Sequence, residues 1–195
     1  TGCSKKAESK VPDKLIVGTN AEFPPFEYMN DKKQPEGFDI AMIKEIGKRM
    51  DKKVEIQNME FKSLIGAMES DSINAIIAGM TKTEKREKAV DFSDSYYTTN
   101  QAIILKKDSK ITKLAQLDGK KIGVQEGTTG DLISSGDKFG DGKKAKVLVK
   151  GAKVKRFKKG VDAVMDLKNG SVDAVVIDEL TANEFVKKNA KNLKI

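Results

Sequence analysis

The sequence predicts an α/β fold of two lobes with a cleft between them. Three observations carry this reading. Apolar runs of strand length alternate with segments whose apolar residues recur at helical spacing. The chain also repeats itself: residues 65–77, from Ile65 to Ile77, parallel residues 164–176, from Val164 to Val176. Each copy reads as a helix, a short polar turn and a buried strand. The repeat further puts Gly79 and Asp178 at equivalent strand ends, so two lobes with facing strand tips would bring Arg86 and Asp178 to one cleft. We expect a flexible tether over 1–12, lobe 1 over 13–98 and lobe 2 over 99–195. The hinge is expected near 97–101 and a return crossing near 191–195.

Leu15-Ile16-Val17-Gly18-Thr19 reads as the first strand. In the next stretch, Asn20 to Tyr28, Pro24 and Pro25 argue against regular structure and predict an aromatic-rich loop. Such a loop at a strand's carboxyl end is where open α/β sheets bind ligands. Gly37-Phe38-Asp39 opens a helix with Ile40, Ile43, Ile46, Gly47 and Met50 on its apolar face. Val54-Glu55-Ile56 alternates as a strand. A helix follows from near Ser63, preceded by Phe61, which is either core or an aromatic platform.

Ala75-Ile76-Ile77-Ala78 reads as a buried strand ending at Gly79. Thr83 then occupies an N-cap position for a short helix that carries Arg86. An arginine near a strand end offers a planar fork of donors matched to a carboxylate. The alternative is a surface arginine pairing with Glu84 or Glu87.

The second half repeats the alternation. Strands are expected over Gln101–Leu105, Lys121–Gln125 and Ala174–Ile177. Glu126-Gly127-Thr128-Thr129-Gly130-Asp131 is a glycine-flanked hydroxyl turn before a helix, where free backbone N–H groups bind anions. Ser134 to Ala152 reads as an elaborated loop with Val147-Leu148-Val149 as an edge strand, and Lys153–Phe157 alternates weakly. A helix marked by Val161, Val164, Met165 and Leu167 ends at Asn169-Gly170. The last helix carries Ala182, Phe185 and Val186. Asp178 is open to a cap role for it.

Composition narrows the chemistry. Over 195 residues no apolar run approaches membrane-spanning length. The chain has no histidine, which excludes Ser-His and Cys-His catalysis and most zinc sites. Neither a cofactor nor a metal is expected. The formal charge of +8 comes from lysines scattered through the chain, without an aromatic-rich basic motif, so nucleic acid is not an expected partner. The densest basic stretch, Lys143 to Lys159, reads as a solvated loop and sheet edge. The single cysteine, Cys3, has no internal partner for a disulfide.

The segment A-G-M-T-x-T-x-x-R-x-x-x-V-D-F-S-x-x-Y-Y, residues 78–97, closely resembles the signature of bacterial extracellular amino-acid-binding proteins. This is solute-binding protein family 3, which feeds polar amino acids to ABC importers. G-T-N-A-x-F-x-P-F-E-Y, residues 18–28, resembles the family's first-strand loop, and Phe38-Asp39-Ile40 its helix entry. The resemblance covers nearly everything from Leu15 to Ile195. It implies a type II periplasmic-binding-protein-like fold and a receptor that is not an enzyme, with an ABC permease and its ATPase subunit as partners. Thr1-Gly2-Cys3-Ser4 resembles the end of a bacterial lipoprotein signal. That implies lipidation at Cys3, with Lys5 to Lys10 as tether, and a place on the extracytoplasmic face of the cell envelope. An incidental cysteine is the alternative.

By this resemblance Thr81 and Arg86 hold the ligand's α-carboxylate, joined by backbone donors of the Thr128-Thr129 turn, and Asp178 takes the α-ammonium. Asn20 and Phe23 face the ligand side chain, and Phe61 serves as platform. With Gly79, Met80 and Gln125 at the strand ends, these complete the expected ligand set, which contains no catalytic residue. An amino acid is a zwitterion, and burying both charges is tolerable only when each is paired. The ligand therefore bridges the lobes and shifts the population toward closure.

Asn20 stands where many relatives carry an aspartate. Its amide donates and accepts but has no charge. That predicts neutral polar ligands in preference to cationic ones, unless Glu22 reaches in. A further departure lies at Leu193-Lys194-Ile195, where the family continues with a segment that completes lobe 1. That completion is expected to be missing here. A monomer is expected, with a swapped dimer as the alternative if a neighbouring chain completes the lobe. The competing functions are a small-carboxylate dehydratase on the same fold, with Glu22 or Glu126 as acid or base, and a sensor domain.

Overall fold

A computed structural model describes residues 12–136 and 149–195. Cys3 and the expected strand residues Val147 and Leu148 lie outside the described residues.

Two α/β units carry the strands. In the first, β1 (Lys14–Thr19) is the centre of a parallel three-stranded sheet. Following it, β2 (Glu22–Phe23), β3 (Glu27–Met29) and β4 (Pro35–Glu36) form a small antiparallel sheet. This corrects the expectation of irregular backbone from Asn20 to Tyr28. Pro24 and Pro25 sit in the turn between β2 and β3, where no ladder donor is needed, and Phe26 N closes the turn on Phe23 O at 3.0 Å.

Helix α1 (Phe38–Arg49) starts at Gly37, whose φ of 123° brings the backbone against Phe26. It buries Ile40, Ile43 and Gly47, while Ile46 and Met50 remain exposed, so its apolar stripe is narrower than the sequence suggests. The outer strands of the sheet are β5 (Lys53–Asn58) and β6 (Ala75–Ile76), both parallel to β1. A 3₁₀ turn over Phe61–Ser63 leads into α2 (Leu64–Glu69). The strand expected over residues 75–78 is shorter than predicted. It lies at the sheet edge with Ile76 half-buried, and only the Ile77 N–H, bonded to Gly18 O at 3.0 Å, continues the ladder.

After α3 (Glu84–Glu87) and an irregular stretch, β7 (Gln101–Lys106) enters the second sheet. This sheet also contains β8 (Lys121–Gln125), β9 (Lys153–Phe157), β10 (Ala174–Asp178) and β11 (Leu193–Lys194), in the order β11-β7-β10-β8-β9. Its helices are α4 (Thr129–Ser135), α5 (Gly160–Asn169) and α6 (Glu179–Lys188). Gly170 ends α5 in the left-handed region, as the Asn-Gly signal predicts. The core of this sheet is apolar on both faces, with Ile104, Ile122, Val124, Ala174 and Val176 all buried. The sheet is mixed, with β8, β9 and β10 parallel and β7 antiparallel to β10 and β11, and such burial is the pattern of a sheet covered on each side.

The internal repeat is a repeat of hydrogen bonds as well as of sequence. Asn74 Oδ1 accepts from Ile16 N at 2.8 Å, and Asp173 Oδ2 accepts from Lys121 N at 2.8 Å. In each unit the polar residue just before the repeat's strand, β6 or β10, thus accepts from a backbone N–H of the parallel neighbour, β1 or β8. Ser72 N bonds Ala67 O and Ser171 N bonds Asp166 O, both at 2.9 Å, so the turns match too. The carboxyl ends of β1 and β6 consequently face those of β8 and β10 across the cleft.

Candidate ligand-binding site

The cleft is built from strand ends. Gly79, with φ of 52°, turns the chain after β6. Thr83 caps α3, its hydroxyl accepting from Arg86 N at 3.3 Å, and this one-turn helix aims Arg86 inward. Arg86 is buried rather than a surface ion-pair partner. Its guanidinium donates to Thr81 O at 2.5 Å and to Gly127 O at 2.9 Å, and it lies 5.3 Å from the centre of the Phe61 ring. Phe61 packs on the Leu64–Ile73 core, and the face of its ring carries the Arg86 cation. Burial pushes the Arg86 pKa down to about 10, with the Asp178 charge opposing. The guanidinium stays ionised at neutral pH.

Asp178 ends β10 and stands at the N-cap of α6, but its side chain makes no cap bond there. Gln101 Nε2 donates to Asp178 Oδ1 instead. Burial pushes the Asp178 carboxyl up to about 6, and the positive field of Arg86 holds it back. Thr128 caps α4 by accepting from Asp131 N at 3.3 Å. Phe23, Phe61, Gly79, Thr81, Arg86, Thr128, Thr129 and Asp178, with Ala78, line one small cavity. Eight of the expected ligand residues are thus brought to one place.

The other three stand apart from that wall. Met80 packs against the cluster of Leu64, Ile73 and Ala78. Asn20 and Gln125 are buried on each other: Gln125 Nε2 donates to Asn20 Oδ1 at 2.8 Å, and Asn20 Nδ2 donates to Met59 O at 2.7 Å. Gln125 Oε1 is buried and takes no donor among the described residues. Glu22 and Glu126, the carboxylates considered for acid or base work, are each held by a lysine from the facing unit. Lys159 meets Glu22 at 2.7 Å and Lys62 meets Glu126 at 2.8 Å, while a third such pair joins Lys158 to Glu60 at 2.6 Å.

Sequence reasoning missed the layer behind Gly79. Asp39 Oδ2 accepts from Gly79 N at 2.7 Å and from the Tyr96 hydroxyl at 2.8 Å. Asp39 and Tyr96 both fall within the quoted motifs, and the buried Asp39 in the first turn of α1 was the available signal. Asp131, in the first turn of α4, likewise holds Gly127 N at 3.0 Å and the Arg156 guanidinium at 2.9 Å.

The model of the bacterial extracellular solute-binding proteins, family 3, matches residues 15–194. The chain belongs to that family. Family 3 relatives agree along almost the whole chain. The arginine-binding extracellular protein ArtP of Bacillus subtilis is 36% identical over 190 residues, covering 96% of this chain and 70% of that protein. The arginine-bound form of a truncated ArgBP from T. maritima superposes with a TM-score of 0.83 at 42% identity, covering 94% of this chain and 81% of that one. An ancestral arginine-binding protein bound to glutamine gives a TM-score of 0.81 at 40% identity, covering 94% and 78%. The fold is the type II, two-lobed periplasmic-binding-protein-like fold of these family 3 proteins. The family and these relatives are binding proteins rather than enzymes.

Proposed function

We propose that this family 3 protein is the receptor of an ABC importer, capturing a free L-α-amino acid in the cleft and closing on it. The observation that supports this is the pairing of opposite charges in one cavity. Arg86, with Thr81 and the Thr128-Thr129 turn, offers donors to an α-carboxylate; Asp178 offers an acceptor to an α-ammonium. A buried charge is costly alone and favourable when its complement arrives. Arg86 meets carbonyls from both units, so a carboxylate replacing either contact ties the units together. We take lobe 1 as 13–98, lobe 2 as 99–195 and the hinge as near 97–101, a division that the two separate sheets support. Calorimetric titration with the twenty common amino acids tests the receptor reading. Binding of at least one, recovered unchanged, is expected; chemical conversion of the bound compound would instead support an enzyme.

For the ligand's side chain we put arginine first, because ArtP and ArgBP carry that name at 36% and 42% identity. Glu22 then supplies the counter-charge, with the ligand displacing the half-exposed Lys159 from it. The second reading, glutamine or another neutral polar amino acid, is favoured by the uncharged Asn20–Gln125 pair. Anchoring through a lipid on Cys3 completes the proposal. A Cys3→Ser chain expressed behind a lipoprotein signal is expected to leave the membrane fraction, and unchanged fractionation would refute the anchor.

A further inference from the structure

Glu27 on β3 is fully buried, and neither of its carboxyl oxygens takes a hydrogen bond from an ordinary donor among the described residues. Asp39 on α1 is fully buried as well. Its Oδ2 holds Gly79 N and the Tyr96 hydroxyl, whereas Oδ1 has no such donor. Asp39 acts on the Glu27 carboxyl both through its charge and as a side-chain hydrogen-bonding neighbour. Two ionised carboxylates in contact and out of water repel, and each is costly without a donor. One proton resolves both problems. Placed on Glu27 and donated to Asp39 Oδ1, it turns a repulsion into a charge-assisted O–H···O⁻ bond. The proton is placed on Glu27, because two donors already converge on Asp39 Oδ2 and none reaches Glu27 among the described residues.

The surroundings reinforce this assignment. The groups acting on Glu27 are acidic on every side: Asp39 from α1, Asp178 from the end of β10, and the Tyr96 hydroxyl from the stretch before β7. Burial, then Asp39, then Asp178 hold the Glu27 carboxyl well above the usual carboxylate range.

We propose that Glu27 and Asp39 share a single proton, and that this acid–carboxylate pair is a positioning device for the Gly79 turn that faces the ligand. Glu27 Oε1 lies 3.9 Å from where a Cβ on Gly79 would stand, directly behind the turn. Asp39 grips the Gly79 N–H from the same side. An ionised Glu27 would repel Asp39 and Asp178 together and loosen both the grip and the cavity wall. The positioning role rests on the amino-acid-receptor reading; the shared proton does not.

The experiment therefore has a ligand-free arm and a ligand arm. A carboxyl whose folded pKa lies above its unfolded value of 4.5 removes stability as pH rises from there toward the folded pKa. Glu27→Gln replaces the acid proton with an amide donor that does not titrate. Melting curves without ligand should show E27Q gaining on the wild type, by several degrees between about pH 5 and pH 8. Parallel curves would overturn the shared proton. In the wild-type protein itself, infrared spectra near neutral pH should contain a buried carboxylic-acid band that persists in Asp178→Asn, and its absence would overturn the assignment without any Glu27 variant. In the ligand arm, L-arginine and L-glutamine are titrated into wild type, E27Q and E27A. Whichever binds the wild type should bind E27Q within about threefold and E27A at least tenfold more weakly, since only the amide restores a donor to Asp39. Equal losses in E27Q and E27A would overturn the positioning role. Failure of both amino acids to bind the wild type would count against the receptor reading and leave the melting result standing.

Discussion

The Arg86 guanidinium donates to the Gly127 carbonyl at 2.9 Å, and this bond crosses the cleft from the turn after β6 to the turn after β8. The same guanidinium holds Thr81 O on its own side. One planar group therefore clamps two turns, each of which opens at a glycine with positive φ. Such a fork of donors is more rigid than an ammonium on a flexible stem. A ligand carboxylate is a better acceptor for it than a neutral carbonyl.

Arg86→Ala is accordingly expected to abolish amino-acid binding, at a cost of about 2–5 kcal/mol. Arg86→Lys should recover little, because a point charge does not reproduce the bidentate geometry. Calorimetry on both variants, with circular dichroism to confirm the fold, provides the measurement. Undiminished affinity in Arg86→Ala would remove the carboxylate clamp from the proposal.

Asp178 gives a pH signature. Burial raises its carboxyl to about 6 from an ordinary 3.8, so the folded protein without ligand holds a proton that the unfolded chain has lost in that window. Stability contributed by this group therefore falls as pH rises from 3.8 to about 6. Ligand binding runs the other way. An α-ammonium favours the ionised carboxylate, so affinity should fall about tenfold per unit as pH drops below the Asp178 pKa. Asp178→Asn should flatten that profile and weaken amino acids far more than their des-amino analogues. An unchanged acid limb in the variant would make Asp178 structural.

The facing units also meet through three ion pairs: Glu22 with Lys159, Glu60 with Lys158 and Glu126 with Lys62. All three lysines are half or more exposed, so each pair is weak and is screened by salt. Their joint expectation is a closed form that weakens with ionic strength. A triple variant, Lys62→Ala with Lys158→Ala and Lys159→Ala, should lose most of the salt dependence of the radius of gyration measured by small-angle scattering. The same salt response in both proteins would show that the pairs do not contribute to closure.

Much of this was legible in the sequence because the strands obey local rules. β8 was read with its observed bounds, since an apolar run between a lysine pair and a glycine turn leaves little choice. The repeat was readable because Asn74 and Asp173 do the same backbone work in two places. Thr83 was found as a helix start, and the hydroxyl turn of Thr128 and Thr129 was placed before a helix, because capping is a local act. What the sequence hid depends on distant partners. The pairing of Asn20 with Gln125 joins residues 105 apart, and the acidic surroundings of Glu27 come from Asp39 on α1 and Asp178 on β10 together. Nor does any local rule say that Glu22 is held by Lys159, 137 residues away.

That last contact decides how the side-chain preference is to be tested. Asn20 is uncharged and already engaged with Met59 O and Gln125, so it offers no counter-charge to a cationic ligand. The amide pair does retain one buried acceptor without a donor, Gln125 Oε1, and a ligand tipped with N–H groups suits it. Both a guanidinium and a primary amide have such a tip. The two differ in charge, and the charge must be met at Glu22 or remain costly. Lys159 holds Glu22, yet its side chain is half exposed and can return to water when a ligand cation takes its place. Arginine is therefore expected to bind more tightly than glutamine to the wild type. Glu22→Gln should cost arginine at least tenfold while changing glutamine by less than about threefold. Lys159→Ala should strengthen arginine, because the competing cation is gone. Competition titration of arginine, lysine, histidine, glutamine and asparagine against the three proteins reads all of this at once. If glutamine binds the wild type more tightly and Glu22→Gln leaves the order unchanged, the amides of Asn20 and Gln125 set the specificity and Glu22 only closes the cleft.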